Sequence, residues 1–283
     1  MRNYLGLACL LAAATGLSAC NKSYSAYALT STGTIIGFNT KSPSSITSEE
    51  TITGLNSGAS LVQMDYLPST GALYGVSSDY YVYTLDPSTG VATAVSTSAF
   101  TSTTDAETNM TMAIDPVTED MRIVSTQSSQ LYNLLVSPTT GDVVTTDNDV
   151  AFNSSDVSSG VSPVLIALAY NNHYSGASNS TLYALEQNTH SLVYIGDQNA
   201  TTAASADGGE LYTVGGVSDN TGITFSGSGG MSIEVAKGTA YAALASGGGA
   251  ILYTIDLGSG AASEVGEIDT GDRTIDALVI VPD

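Results

Sequence analysis

Thiols and tryptophan are almost missing from this chain. There is no tryptophan, and the two cysteines, Cys9 and Cys20, both fall in the first twenty residues. The chain beyond Cys20 therefore has no disulfide, no thiolate nucleophile and no cysteine-held metal, and must be stable through its core alone. Basic residues are also scarce: six Lys and Arg against 27 Asp and Glu, a formal charge of −21. Only Arg2 precedes Cys20, so five basic residues face all 27 acids in the rest. That balance excludes electrostatic binding of nucleic acid or of anionic lipid headgroups. Solubility of an exported Ser/Thr/Gly-rich protein accounts for it, with cation binding or an acidic or salty medium as the sharper alternative. No apolar run of about twenty residues follows the N-terminus, so no membrane-spanning helix is expected. HExxH, CxxC and G-x-S-x-G are all missing, which argues against a zinc site and a nucleophile elbow.

The N-terminus carries an address. A basic start (Arg2) and an apolar stretch from Tyr4 to Ala14 lead into Leu17-Ser18-Ala19-Cys20, which reads as a signal peptide closing on a bacterial lipobox. Residues 1–19 would be removed, Cys20 would be lipidated, and 20–26 would form a tether to a single domain over 27–283. A Cys bearing several acyl chains anchors firmly. Asn21 rather than Asp after the Cys favours the outer membrane by the enterobacterial sorting rule. The expected location is the bacterial cell envelope, lipid-anchored, facing the periplasm or the surface. About 260 residues from Cys20 onward suffice for one large domain.

From Tyr27 the pattern is β throughout. Runs such as Ala72–Val76, Tyr81–Leu85 and Leu252–Ile255 alternate with period two between turn residues, and no amphipathic helix follows the signal peptide. One turn recurs. Asp86-Pro-Ser-Thr-Gly90 has relatives at Leu67–Gly71, Ser137–Gly141 and Asp256–Gly260, and weaker copies at Asp115–Glu119 and Glu186–His190. Asp or Ser accepts backbone N–H bonds, Pro presets φ, and Gly takes the positive φ that closes the hairpin.

The hairpins group into larger units. Strands near 61–67, 72–77, 80–85 and 91–96 form one; others cover about 109–147, 163–215 and 230–268. The segment 27–54 supplies only three strands (Tyr27–Thr30, Thr34–Phe38, Thr51–Leu55), and Thr274–Val281 is a strand with no later partner. Placing that strand in the first unit completes it and removes the sheet edges. The expected fold is all-β: a β-propeller of about five four-stranded blades, the first closed by the C-terminal strand. Six blades, or a β-sandwich or solenoid, are the alternatives.

The segments Met64–Gly75, Val82–Gly90, Ile114–Val124, Ala167–Asn172, Leu182–Leu185 and Leu252–Asp256 resemble a bacterial family catalogued as domain of unknown function 4394. The resemblance spans about residues 61–281 and implies a propeller-like exported protein, with no activity attached. Family members often place an Asp early in the leading strand of each unit. Asp65 keeps it, whereas Ala113 and Ser232 stand at the matching places.

Candidate chemistry is thin. His173 lies in Asn171-Asn172-His173-Tyr174, a longer loop of the kind where binding residues collect; these four are the candidate binding residues, and no catalytic residue is assigned. His190 sits in a hairpin turn and is expected to be exposed. Calcium is the one plausible ion, because it needs six to eight oxygens: Asp142, Asp147, Asp149 and Asp156 crowd one region, and Asp197, Asn199 and Asp207 mark another. Solvated acidic loops are the plainer reading, and no other cofactor is expected. Sixteen tyrosines stand against four phenylalanines; Tyr74, Tyr83, Tyr132, Tyr183, Tyr241 and Tyr253 recur at matching places and are expected in the core. Tyr80 and Tyr81 cannot both face inward along one strand.

These readings point to a non-enzymatic envelope lipoprotein, a propeller scaffold whose partners are the membrane through its lipid and an envelope protein or glycan. A hydrolase or lyase at the propeller mouth would require the His173 loop and nearby acids to converge. A calcium-stabilised adhesion module is the third reading.

Overall fold

The computed structural model describes residues 24–101, 110–126, 131–201 and 203–281. Cys20 and the segment read as a signal peptide lie outside the described residues. The chain opens with a meander of β1 (Ser25–Thr30), β2 (Thr34–Asn39) and β3 (Ser42–Thr51). The next sheet holds β4 (Leu61–Tyr66), β5 (Leu73–Ser77), β6 (Val82–Asp86) and β7 (Val91–Ala94). A third holds β8 (Met110–Ile114), β9 (Met121–Ser125), β10 (Tyr132–Val136) and β11 (Val143–Thr146). The fourth is preceded by a short β12 (Ala151–Phe152) and holds β13 (Leu165–Tyr170), β14 (Ser180–Glu186), β15 (Ser191–Ala200) and β16 (Glu210–Thr213). The fifth holds β17 (Gly229–Ile233), β18 (Ala240–Ser246), β19 (Gly249–Ile255) and β20 (Ala262–Ile268). The last strand, β21 (Ile275–Ile280), pairs antiparallel with β1 and becomes the inner strand of the first sheet.

The inner strands β21, β4, β8, β13 and β17 pack side by side and close on themselves. The molecule is a five-bladed β-propeller whose first blade is completed by the C-terminal strand. Closure is tight between β17 and β21: a Cβ on Gly230 would lie 2.2 Å from the Leu278 nitrogen, so only glycine fits there. Five apolar cores fill the structure, one between each neighbouring pair of blades. Both faces of an inner strand are therefore covered. β4, β8, β13 and β17 are buried at every residue and show no alternation. Tyr83, Tyr132, Tyr183 and Tyr241 are core rings, while Tyr74 and Tyr253 are half-buried. Tyr80 is buried too, but in a turn with φ 67°, edge-on to Phe100, while Tyr81 is half-buried.

Two strands depart from the pattern read in the sequence. The third strand of the first blade is Ser42–Thr51, not Thr51–Leu55. The Asn39 side chain accepts the Lys41 N–H at 3.0 Å, turning the chain early. The strand that follows is a Ser/Thr/Glu-rich outer edge, which an apolar pattern passes over. The fourth blade gains β12, paired in parallel with the outer edge of β16.

The five-residue turn is confirmed at five of the six sites; at Glu186–His190 the His190 N–H instead reaches the Gln187 carbonyl, three residues back, at 3.3 Å. Gly71, Gly90, Gly141 and Gly260 all have φ between 70° and 85°, and each donates its N–H to the carbonyl four residues back. A further copy, Glu234-Val-Ala-Lys-Gly238, makes the same bond at 3.0 Å. In Asp115–Glu119 the closing residue is Glu119, held at φ 64°. Such a backbone strains a residue with a Cβ by about 1–2 kcal/mol. Glu119→Gly is expected to raise stability by about 1 kcal/mol in urea denaturation, and a loss would show that the exposed Ser69–Glu119 bond outweighs the strain. His190 likewise has φ 48°; it is half-buried rather than exposed, edge-on to Phe225.

Antiparallel alternation gives the ring two unlike faces. Six of the seven turn copies lie at the end where the inner strands finish, the turn face. The opposite end, the loop face, carries the longer connections 52–60, 147–164, 214–228 and 269–274. The chain enters at the turn face. Tyr24 is buried there, donating its N–H to Thr40 Oγ1 at 3.1 Å and accepting from the Thr40 N–H at 3.0 Å.

Candidate functional site

At the turn end of the axis, Asp65 and His173, both marked in the sequence, meet Tyr66, which was not. Asp65 stands near the end of β4 rather than early in it, and it accepts the Tyr66 N–H at 2.8 Å through Oδ1 and the Ile114 N–H of the next blade at 2.9 Å through Oδ2. His173, in the loop after β13, places Nε2 3.6 Å from the same Oδ2. The Tyr66 hydroxyl donates to the His173 carbonyl, and the two rings lie 4.3 Å apart. His173 is buried. The His173 loop and an acid do converge, but no substrate could reach them. The cavity beside them is about 10 Å³, walled by Met64, Met112, Leu168, Met231 and Leu278 from the five inner strands. That is room for about one water.

The other loop residues serve the fold. Asn171 Oδ1 accepts the Thr181 N–H at 2.6 Å. Asn172, at φ 52°, donates to Asn179 Oδ1 at 2.9 Å. Tyr174 is exposed.

The Asp65 position has a repeat-wide role. Its equivalent in the fifth blade is Ser232, whose Oγ accepts the Ile280 N–H of the first blade at 3.0 Å. Ile280 corresponds to Ile114, so both residues tie an unpaired inner-edge amide across a blade boundary. Serine performs the bond that aspartate performs, which explains how this chain departs from the family pattern and keeps the ring. Ala113 cannot make it.

The acids read as calcium candidates disperse. Asp147 Oδ2 sits 2.5 Å from Arg122 Nη1. Asp156 accepts the Thr213 N–H at 2.6 Å and the Ser158 N–H at 2.8 Å. Asp142 and Asp149 are exposed. Of the second group, Asp207 joins Arg122 at 2.9 Å, and Asp197 and Asn199 lie in the outer part of β15. Among the described residues, no group of three or more His, Cys, Asp or Glu stands together to hold a metal. The sequence reading passed over Arg122. It is fully buried in β9 and also donates to Asn133 Oδ1 at 2.9 Å. The signal was a lone basic residue inside the apolar run Met121–Val124.

Open space lies on the loop face. A cavity of about 600 Å³ sits between the first and second blades, lined by Thr32, Leu55, Ser60, Val62, Ser228 and Asp276 among others. A second, of about 400 Å³ and more apolar, lies between the third and fourth blades near Leu131, Phe152 and Val161.

Burial raises the carboxyl pKa values of Asp65, Asp115 and Asp276. A carboxyl raised on folding binds protons more readily in the folded than in the unfolded chain. Its contribution is present at low pH and lost as pH rises through the folded value. Mutual repulsion of the many acids acts in the same direction. The urea midpoint is therefore expected to rise as pH falls from about 7 toward about 5, approaching the ordinary carboxylate range. Asp86 and Asp256 are lowered by bonds from Ser88 and Ser259 and oppose this, but they lie at the surface and weigh little. A midpoint that falls over that range would contradict the burial argument.

The ring, its C-terminal closure and its inter-blade cores define the class as a β-propeller. A solved structural-genomics protein of unknown function from Bacteroides thetaiotaomicron has the same fold, with a TM-score of 0.50 and 17% identity over 92% of this chain and 63% of that one. Weaker likenesses include a chain of the nidogen/laminin complex (TM-score 0.48, 9% identity, 92% of this chain and 99% of that one). Another is the Dos1 propeller (TM-score 0.43, 11% identity, 81% of this chain), of which the match spans about half, 53%. No curated protein matches. The family model "Domain of unknown function (DUF4394)" matches residues 34–278, and the chain belongs to that family.

Proposed function

We propose that this protein is a non-enzymatic envelope lipoprotein, anchored through Cys20, whose propeller presents its loop face to an envelope protein or glycan. One observation carries the reading: the chain enters the ring at Tyr24 on the turn face, where the axial cavity holds about 10 Å³, while two cavities of about 600 and 400 Å³ among the described residues lie on the opposite face. Between Cys20 and Tyr24 the chain spans at most about 14 Å, at roughly 3.5 Å per residue. A lipid on Cys20 would hold the turn face toward the bilayer and point the loop face away. The envelope location, on the outer membrane, rests on the lipobox and Asn21. The buried His173–Asp65 pair weighs against the hydrolase or lyase reading, since its cavity admits no substrate.

Crosslinked affinity purification of the tagged full-length protein from its own membranes tests this. The wild type is expected to recover a stoichiometric partner that Cys20→Ala loses. Recovery of nothing from firmly anchored protein would overturn the scaffold reading.

A further inference from the structure

The loop-face cavity holds a carboxylate that the fold does not require. Asp276 is the second residue of β21. Ile275 pairs with Thr30 and Ala277 with Leu29, so Asp276 is the extra residue of a bulge. Bulges re-aim a side chain, and here the bulged residue lines the cavity.

The repeat supplies an internal comparison. The same bulge recurs in the second blade at Val62 and in the fourth at Ile166. Counting back from the Asp65 and Ser232 latch position, Met110 and Gly229 occupy the place in the third and fifth blades. Val62, Met110 and Ile166 are buried apolar side chains. Only the first blade puts a charge there. The side chain is half-buried, and its burial raises the carboxyl above its ordinary range, with Ser228 the one side chain that counters the shift. No lysine or arginine lines the cavity to neutralise it. A carboxylate left in that state is costly to the folded protein.

The remaining walls suggest what relieves it. Ser31, Thr32, Ser60 and Ser228 offer hydroxyl acceptors, and Ile52, Leu55, Leu61 and Val62 offer apolar surface. No aromatic ring is present for a sugar to stack on. The volume, about 600 Å³, falls in the usual range for small-ligand sites. The surplus of acids favours cations around the whole molecule.

We infer that this cavity binds an alkylammonium group, the nitrogen paired with Asp276 and the stem against the apolar wall. The same chemistry is offered by a free aliphatic amine and by a lysine side chain of another protein. The site is independent of the anchoring reading, and its failure would leave that reading untouched.

The test is calorimetric titration of the full chain in mild detergent with cadaverine, with Nα-acetyl-lysine N-methylamide, and with 1-pentanol as the uncharged control. At least one ammonium probe is expected to bind saturably and 1-pentanol is not. Tighter binding of cadaverine assigns a free amine, and tighter binding of the lysine derivative assigns a protein side chain. Asp276→Asn is expected to weaken binding at least about tenfold, equivalent to about 1.4 kcal/mol. Ala59→Phe, which fills the cavity from its rim, is expected to abolish it. Glu264→Gln, on the exposed outer strand β20, is expected to leave it unchanged and so reports diffuse attraction to the acidic surface. Failure of both amines to bind at 10 mM (roughly the weakest affinity worth calling a site) would overturn the inference. So would equal binding to the wild type and to a folded Asp276→Asn or Ala59→Phe variant.

Discussion

Arg122→Ala is expected to be among the most destabilising single changes in this protein, costing about 3–5 kcal/mol in urea denaturation. The guanidinium is fully buried and reaches Asp147, Asp207 and Asn133 together. Removing it leaves a cavity and strands the Asp147 carboxylate, whose side chain is only 6% exposed. The loss is mainly that of an orphaned charge, so it should be partly reversible. Adding Asp147→Asn to Arg122→Ala is expected to recover stability, although Asp147→Asn alone destabilises. A double variant as unstable as the sum of the singles would show that the pair is not coupled.

The second large effect is expected at Asp65. Asp65→Ala leaves the Tyr66 and Ile114 amides without their acceptor. Each buried amide so stranded costs about 1–3 kcal/mol, giving roughly 2–6 kcal/mol together. Asp65→Ser is expected to lose clearly less, because Ser232 makes the same inter-blade bond in the fifth blade. Comparing the two unfolding midpoints checks the latch. Equal losses would mean that the His173 contact, rather than the bond across the blades, sets the role of Asp65.

Much of the fold was legible in the sequence because its punctuation is local. The five-residue turns carry their own conformational instruction, and the unpaired strand at the C-terminus left few places to go. What escaped was set by long-range geometry. β3 is polar because it is an outer edge, and no apolar pattern marks it. The inner strands are buried on both faces, so alternation fades where the ring is tightest. The site was less legible. His173 stood out by rarity, but its burial beneath Tyr66 depends on two blades meeting. Asp147 and Asp156 looked like free acids because Arg122 and Thr213 lie 25 and 57 residues away. Asp276 could have been found by superposing the leading strands, where it stands alone among Val62, Met110, Ile166 and Gly229.

On the proposed reading, partners meet the loop face while the axis stays closed. Hydrogen–deuterium exchange of the full-length protein in its own membranes, against the unanchored Cys20→Ala form, tests it most directly. Added protection is expected in the loop-face connections around 52–60 and 147–164, with the amides of Tyr66 and Ile114 beside Asp65 unchanged. Protection or opening centred on Asp65 and the His173 loop, with the loop face unaltered, would contradict it.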